Sequence, residues 1–330
     1  MQSKIPTWTG IARRTVLLAT GAMAAAIAGG VQAQVFPDKP VRLVVTFAPG
    51  GPTDVAARII AQHMSQALGQ PVVVENRPGA ASMIAAAYVA QQSRDGYTLL
   101  VTSNQVNSNP LMYKKISYKN SDFAPVGLMF TATNAMTVPT SLPVKNVREF
   151  VEYAKKLPGG VSYAILGMGG TPHVNGKMLE KAAGLTMTEV NYNGSAPATN
   201  DLMAGRVQMM FNSVAASLPL HEAGKLRILG IASDKRMDVA PDIPTLKEQG
   251  VPVSLLTWFG LAAPAGTAPE RIDILNRALV KAVAHPDYQE RMKKLATTPV
   301  SNTPAEFGEF MKADYERWAE ILKPMNLQLD

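Results

Sequence analysis

The stretch VRLVVTFAPGGPTDVAARII, residues 41–60, places a strand-like run, a pair of glycines and the start of a helix in direct succession. The run up to Phe47 is almost continuously apolar, which is typical of a strand covered on both faces of its sheet. Gly50 and Gly51 come next, and apolar residues then recur at helical spacing until Gly69. A strand, a tight turn and a helix in this order form the repeating unit of α/β folds.

The same unit recurs along the chain. In the first half VRLVVTF, PVVVEN and YTLLVTS alternate with helical patterns, and in the second half YAILGMGGTPH repeats the strand, the glycines and the helix start. Strands joined by helical crossovers pair in parallel. The sequence therefore predicts an α/β protein of two lobes, each a mostly parallel sheet flanked by helices.

The order of the segments also predicts where the lobes begin and end. The last two amphipathic segments have no further strands to cover, so we expect them to return to the first lobe. That lobe is then discontinuous, with a hinge near residues 130–138 and 250–258. The predicted division is an export signal at 1–33, lobe 1 at 34–133 plus 255–330, and lobe 2 at 134–254.

The N-terminal segment has the features of an export signal. Arg13 and Arg14 precede the apolar run VLLATGAMAAAIAGG, and the small-x-small motif VQA ends at Ala33. The run is shorter and richer in glycine than the roughly 20 apolar residues of a membrane span, so cleavage near Ala33 is favoured over a membrane anchor. The arginine pair fits either a Sec or a twin-arginine signal. The mature protein is expected to be soluble in the periplasm.

Composition excludes several functional classes. The chain has no cysteine, which excludes disulfides and thiol nucleophiles. Its formal net charge of +7 is spread without basic runs, so nucleic acid is not an expected partner. The four histidines lie far apart without metal-ligand spacing, and His63, beside the apolar stripe of the first helix, fits a structural role. No metal and no cofactor are expected.

The two glycine loops are the predicted binding elements. Ligands of such sheets bind beyond the carboxyl ends of the strands, where helix N-termini offer unpaired N–H groups that suit a carboxylate or phosphate. A simple turn with a helix cap is the alternative at each loop, but the shared construction favours binding. Neither loop has nucleotide-binding spacing. The predicted contacts in these loops are Pro49, Gly50, Gly51, Thr53, Asp54, Gly167, Gly169, Gly170, Thr171 and His173.

Short uncharged polar residues extend the predicted site. Ser103 and Asn104 follow one strand, Asn212 ends another, and Ser195 stands at a helix start where it could also act only as a cap. Such residues describe recognition better than catalysis. His173 could order its loop or contact ligand, and Asp54 is expected to cap its loop and helix rather than touch an anion.

Eight motifs resemble one family over essentially the whole mature chain and in the same order. The family is the Bug family, also called TctC-like receptors of tripartite tricarboxylate transporters. The motifs are FAPGGPTDVAAR, ENRPGAASMIAAAYVA, DGYTLLVTSN, SDFAPVGLM, GMGGTPHVNGKML, NYNGSAPATNDLMAGRVQMMF, AGKLRILGIAS and WFGLAAPAGTAPE.

The resemblance implies a two-lobed Venus flytrap of the type II-like periplasmic-binding-protein fold, without catalysis. It implies that a small carboxylate is captured between the lobes and delivered to membrane permease subunits. It also implies that the loop of Pro49 to Asp54 holds the carboxylate, while Gly167 to His173 and Asn193 to Pro197, including Ala196, select the rest of the ligand.

Three positions depart from the family pattern. Asn193 stands where lysine is common, and Gln208 and Asn212 stand where acids are common. A ligand ammonium would lose its counter-charge, which favours mono- or dicarboxylates without an amino group, aromatic ones included. Two other classes remain open: a sensor for a membrane signalling protein, and an enzyme with His173 as general base, for which no nucleophile or metal is visible.

Overall fold

Strands and helices alternate through the part of the chain described by the computed structural model, residues 36–192, 194–325 and 329. The predicted export signal and Asn193 lie outside the described residues. In chain order the strands are β1 (Val41–Val45), β2 (Val72–Asn76), β3 (Thr98–Ser103), β4 (Phe123–Ala132), β5 (Asn134–Pro139), β6 (Val161–Ile165), β7 (Met187–Asn191), β8 (Met209–Ser213), β9 (Leu226–Ile231), β10 (Thr257–Pro264) and β11 (Thr297–Pro299).

The helices follow the strands as the patterns predict. In chain order they are α1 (Pro52–Leu68), α2 (Met83–Ala90), α3 (Asn104–Met112), α4 (Val147–Lys156), α5 (Thr171–Ala183), α6 (Ser195–Met203), α7 (Val214–Glu222), α8 (Pro269–Val283), α9 (Pro286–Lys294) and α10 (Pro304–Leu322). A search of the described helices finds none with the length and apolar character needed to cross a bilayer.

The first sheet has the strand order β11-β4-β10-β3-β1-β2. Its parallel part is β1 between β2 and β3, with Val44 opposite Glu75 on one side and Leu100 on the other. By contrast, β10 runs antiparallel to both β3 and β4, and β11 runs antiparallel to β4. The central strands are covered on both faces, since every residue of β3 is buried.

The second sheet has the order β7-β6-β8-β5-β9. Here β6 pairs in parallel with β7 and β8, whereas β5 runs antiparallel to β8 and β9. The predicted two-lobed α/β class is confirmed, but the sheets are mixed rather than mostly parallel. The antiparallel pairs of the first sheet follow from the path of the chain between the lobes. The chain leaves the first sheet through β4 and returns to it through β10, so these two neighbouring strands run in opposite directions.

The lobes are connected twice. At the first crossing only Thr133 separates β4 from β5, and at the second a segment without strands follows β9 until β10 begins at Thr257. The first crossing lies within the predicted hinge segment 130–138, and the second connection, residues 232–256, overlaps the predicted segment 250–258. As expected, the C-terminal helices return to the first sheet: α8 packs on β4 and α1, and α10 packs on β4 and α3.

Candidate functional site

The loop after β1 is closed by the side chain of Asp54. Gly50 has a φ of +83°, in the left-handed region that favours glycine, and Gly51 is the N-cap of α1. The N–H of Gly50 donates to Asp54 Oδ2 at 3.0 Å. The expectation that Asp54 caps the loop therefore agrees with the structure, and one of the predicted ligand donors, the Gly50 amide, is used within the protein.

Asp54 is itself held from two further sides. Its carboxylate accepts hydrogen bonds from Arg58 Nε at 2.9 Å and Asn76 Nδ2 at 2.8 Å. Burial raises the pKa of Asp54, but the hydrogen bonds from Arg58, Gly50 and Asn76 outweigh burial and lower it to about 2. The carboxylate thus stays ionised at neutral pH and anchors the loop.

The loop after β6 is closed in the same way by His173. Gly169 has a φ of +73°, Gly170 is the N-cap of α5, and the Gly169 N–H donates to His173 Nδ1 at 2.9 Å. Because Nδ1 accepts, the proton of the neutral ring lies on Nε2, which is 3.3 Å from Glu189 Oε1. His173 is only 1% exposed, and burial lowers its pKa more than Glu189 raises it.

The two loops are conformational counterparts. In each, a glycine with positive φ donates its N–H to the side chain four residues later, and a second glycine in extended conformation caps the helix. Among the described residues, no acceptor contacts the N–H of Gly51 or of Gly170. These two amides, at the positive ends of α1 and α5, are open to an anion.

The start of α3 meets the start of α5 across the lobes. Asn104 Nδ2 donates to Thr171 Oγ1 at 2.9 Å, and both residues are buried. The preceding Ser103 is 1% exposed, and its hydroxyl has no hydrogen-bond partner among the described residues. An unpaired buried hydroxyl beside an interlobe contact is a polar group that a ligand could satisfy.

Apolar packing also joins the lobes. Met112 of α3, Val174 of α5 and Trp318 of α10 belong to one buried cluster. A Cβ atom at Gly169 would lie 2.6 Å from Met112 Sδ, so a side chain at this position would have to displace the end of Met112. The structure therefore shows an arrangement in which the lobes touch.

Ser195 and Asn212 are brought together, as the sequence predicts for the second lobe. Asn212 Nδ2 donates to Ser195 Oγ at 2.8 Å, and Asn212 Oδ1 accepts from the Ser213 N–H at 2.9 Å. Ser195 is the first residue of α6 and the N-cap is Gly194, so the alternative that Ser195 acts only as a cap does not agree with the structure. Asn212 thus orients the first turn of α6, where Ala196 is exposed.

A turn that the sequence analysis did not assign to the site lies between β2 and α2. Ala80, Ala81 and Ser82 all have positive φ, a conformation that is costly for residues with a side chain and that clusters at functional sites. The turn is held by Asn109 Nδ2, which donates to Ala81 O at 2.7 Å, and by Ser82 Oγ, which donates to Gln105 Oε1 at 3.1 Å. Its only signal in the sequence is the Pro-Gly pair that follows strand β2.

A cavity of about 410 Å³ lies where this turn faces the second glycine loop. Of the residues predicted from sequence, Gly167 and Gly170 line it. The described lining residues are all uncharged: Ala81, Gln105, Tyr113, Leu166, Gly167, Met168, Gly170 and Leu329. A larger groove of about 500 Å³ runs between α3 and α10, but none of the strand-end loops that offer N–H groups lines it. The smaller cavity is therefore the better candidate for anion binding.

Comparison with known proteins identifies the family. The model of the tripartite tricarboxylate transporter family receptor (TctC) matches residues 56–327. The chain is 34% identical to the periplasmic binding protein BugD, with a TM-score of 0.74 over 89% of this chain and 99% of that one.

Two relatives were solved with ligands. The chain is 34% identical to Rpa4515 of R. palustris, solved with adipate, with a TM-score of 0.76 over 87% of this chain and 97% of that one. It is 30% identical to MatC from Rhodopseudomonas palustris, solved with bound malate, with a TM-score of 0.73 over 87% of this chain and 100% of that one. The family and its solved members are solute-binding proteins rather than enzymes, which does not favour the general-base alternative for His173. The chain belongs to the tripartite tricarboxylate transporter family of receptors, as its motifs indicate.

Proposed function

We propose that this receptor captures a small carboxylate between its lobes and delivers it to a membrane permease. The observation that carries the proposal is the open amide of Gly170, which lines the cavity, together with its counterpart at Gly51 in the other glycine loop. Each lies at a helix N-terminus whose neighbouring N–H is already bonded within the protein. Helix N-termini with free donors stabilise anions, and two of them suit a ligand with an acidic group.

The proposed ligand is a mono- or dicarboxylate without an ammonium group, aromatic acids included. The described lining of the cavity has no acidic side chain to pair with an amine. At the two positions where the family commonly has acids, the amides are used within the protein: Gln208 Oε1 accepts from the Ser162 N–H and hydroxyl, and Asn212 binds Ser195. The dicarboxylates adipate and malate in the two relatives agree with this class.

The proposed lobes are residues 34–133 plus 255–330, and residues 134–254. This division is supported by the sheets, because β1 to β4 and β10 to β11 form one sheet and β5 to β9 form the other. The lobes close by bending at the two crossings, and the hydrogen bond from Asn104 to Thr171 forms only when they meet. A ligand that contacts both lobes favours the closed state, which the permease can distinguish from the open one.

The proposed location is the periplasm, after export and cleavage near Ala33. The Sec and twin-arginine routes both remain compatible with the arginine pair. Cell fractionation of a strain that expresses the full chain, followed by mass spectrometry of the mature N-terminus, tests this part. Co-purification with the permease subunits, against co-purification with a membrane kinase, separates transport from sensing.

The binding proposal is tested with the mature chain by calorimetry against dicarboxylates of four to six carbons, aromatic acids, amino acids and sugars. The expected result is binding of one carboxylate class in a 1:1 complex, with the ligand recovered unchanged. Gly51→Leu and Gly170→Leu should weaken that binding by placing a bulky side chain beside the open amide. Both variants should still fold, since neither glycine has a positive φ and an added Cβ meets no atom closer than 3.7 Å. Ala268→Leu, at the N-cap of α8, is the matched control.

Tight binding of an amino acid, or unchanged carboxylate affinity in both glycine variants, would contradict the proposal. Circular dichroism of each variant distinguishes a lost site from a lost fold.

A further inference from the structure

Two histidines and an aspartate that are far apart in the sequence meet on the first lobe. His63 of α1 stacks on His285, with ring centroids 3.7 Å apart, and His63 Nε2 lies 3.2 Å from Asp287 Oδ2. His285 is the N-cap of α9 and Asp287 lies in the first turn of that helix. Each of the three residues offers one donor atom, and these atoms all lie within 4.8 Å of one another.

We propose that His63, His285 and Asp287 form a binding site for a divalent transition metal of the zinc, nickel and copper class. Two imidazoles and one carboxylate are the ligand set that these ions prefer over magnesium or calcium. With bonds of about 2.0–2.2 Å, the ligand atoms of a tetrahedral ion lie about 3.3–3.6 Å apart. The distance from His63 Nε2 to Asp287 Oδ2 is already close to this value.

The third ligand can move into place. His285 Nδ1 accepts from the Asp287 N–H at 3.3 Å, which leaves Nε2 for the ion. His285 and Asp287 are exposed, so the His285 ring has room to turn out of its stack on His63 and bring Nε2 towards the ion. The exposed side of the cluster leaves room for water as the remaining ligand.

Burial of His63 adds an independent observation. His63 is 7% exposed, and its Nδ1 has no hydrogen-bond partner among the described residues, whereas its Nε2 faces Asp287. The nitrogen within reach of Asp287 is thus Nε2, and it is the atom of this buried ring that an ion would use. An ion at Nε2 would fix the ring and leave the proton on Nδ1.

The site is separate from the ligand cleft. His63 lies twelve residues after Gly51, which corresponds to about 18 Å along α1. An ion here would connect α1, whose first turn forms the carboxylate loop, to α9, and it would stabilise the first lobe without contacting the ligand.

The test is calorimetry of the untagged mature chain, freed of metal with chelator, against zinc chloride and nickel chloride. The expected result is 1:1 binding that His285→Ala and Asp287→Asn each weaken at least tenfold. Both changes are at exposed positions and should leave the fold intact by circular dichroism. His221→Ala removes a histidine from the other lobe and should leave metal affinity unchanged. Carboxylate affinity should be unchanged in all three variants.

Thermal unfolding with and without zinc gives a second readout. Competition with an excess of a chelator should return the protein to the melting temperature of the metal-free chain, since an ion that binds only the folded state raises that temperature. The proposal is overturned if the wild type shows no binding at millimolar zinc. It is equally overturned if His285→Ala and Asp287→Asn bind as tightly as the wild type, or if His221→Ala abolishes binding.

Discussion

Removing the imidazole of His173 should loosen the second glycine loop. A matched asparagine variant shows how much of the effect comes from the lost hydrogen-bond acceptor. In His173→Ala the N–H of Gly169 loses its acceptor, which in a buried position costs about 1–3 kcal/mol of the free energy of unfolding. In His173→Asn the amide oxygen can occupy nearly the same place as Nδ1 and accept that hydrogen bond. We therefore expect the asparagine variant to recover most of this loss.

Carboxylate binding should follow the same order. The Gly169 N–H bond fixes the backbone next to Gly170, whose amide is a proposed ligand donor. Displacing a donor to a charged group costs about 1.5–3 kcal/mol, so His173→Ala should weaken binding at least about tenfold. His173→Asn should stay within about threefold of the wild type, which corresponds to less than 1 kcal/mol. Urea unfolding and calorimetry of the three proteins provide both quantities.

The pH dependence gives a further readout. Because the folded pKa of His173 lies below its ordinary value of 6.5, the unfolded chain binds the proton first as pH falls. The contribution of His173 to stability is therefore complete above pH 6.5 and is lost progressively below it. The charged groups that face the ring are Glu189, Lys177 and Glu180. Both variants should show a shallower loss between pH 6.5 and 5. Equal stability and affinity of His173→Ala and the wild type, or no advantage of asparagine over alanine, would refute the reasoning.

Three further predictions concern other contacts. Asp54→Asn should lose about 2 kcal/mol of the free energy of unfolding at pH 7. The pKa of Asp54 is lowered from 3.8 to about 2, so its ionised form stabilises the fold above pH 3.8, and this stabilisation is lost as pH falls through 2. Urea unfolding should therefore show the difference from wild type at pH 7 but not at pH 2. Asn104→Leu should fold normally but lose the hydrogen bond to Thr171 that joins the lobes. Carboxylate affinity should fall about fivefold, equivalent to about 1 kcal/mol. Small-angle scattering of this variant without ligand should show a larger radius of gyration than the wild type. Gly176→Ala should cost about 1–3 kcal/mol in urea unfolding because its Cβ would lie 2.4 Å from the ring of the buried Tyr163, and wild-type stability in this variant would contradict the packing described.

Local sequence signals predicted the elements well. The apolar stripe of α1 stops at Gly69, which predicts that the helix ends there. In the structure Gly69 caps the C-terminus of α1 in left-handed conformation. The two glycine loops follow β1 and β6, as their paired glycines indicate. These features depend on residues within a few positions of one another, so the sequence carries them directly.

The features that the sequence did not predict depend on distant partners. The direction of β10 follows from the path of the chain through the other lobe, which no local pattern records. The acceptor role of His173 depends on its rotamer, and the contact between His63 and Asp287 joins residues 224 positions apart. The turn of Ala80 to Ser82 was missed because alanine and serine rarely adopt positive φ, and only their surroundings hold them there.

The discontinuous first sheet has a consequence for the order of folding. The strands of the second sheet, β5 to β9, are contiguous in the chain, so that sheet can be completed before β10 has been synthesised. In the finished first sheet β3 lies between β1 and β10. Until β10 arrives, the wholly buried strand β3 presents an open edge on which another chain could pair. The newly made first lobe is therefore prone to aggregation through this edge until β10 pairs with β3. The second lobe can already be folded beside it during that interval.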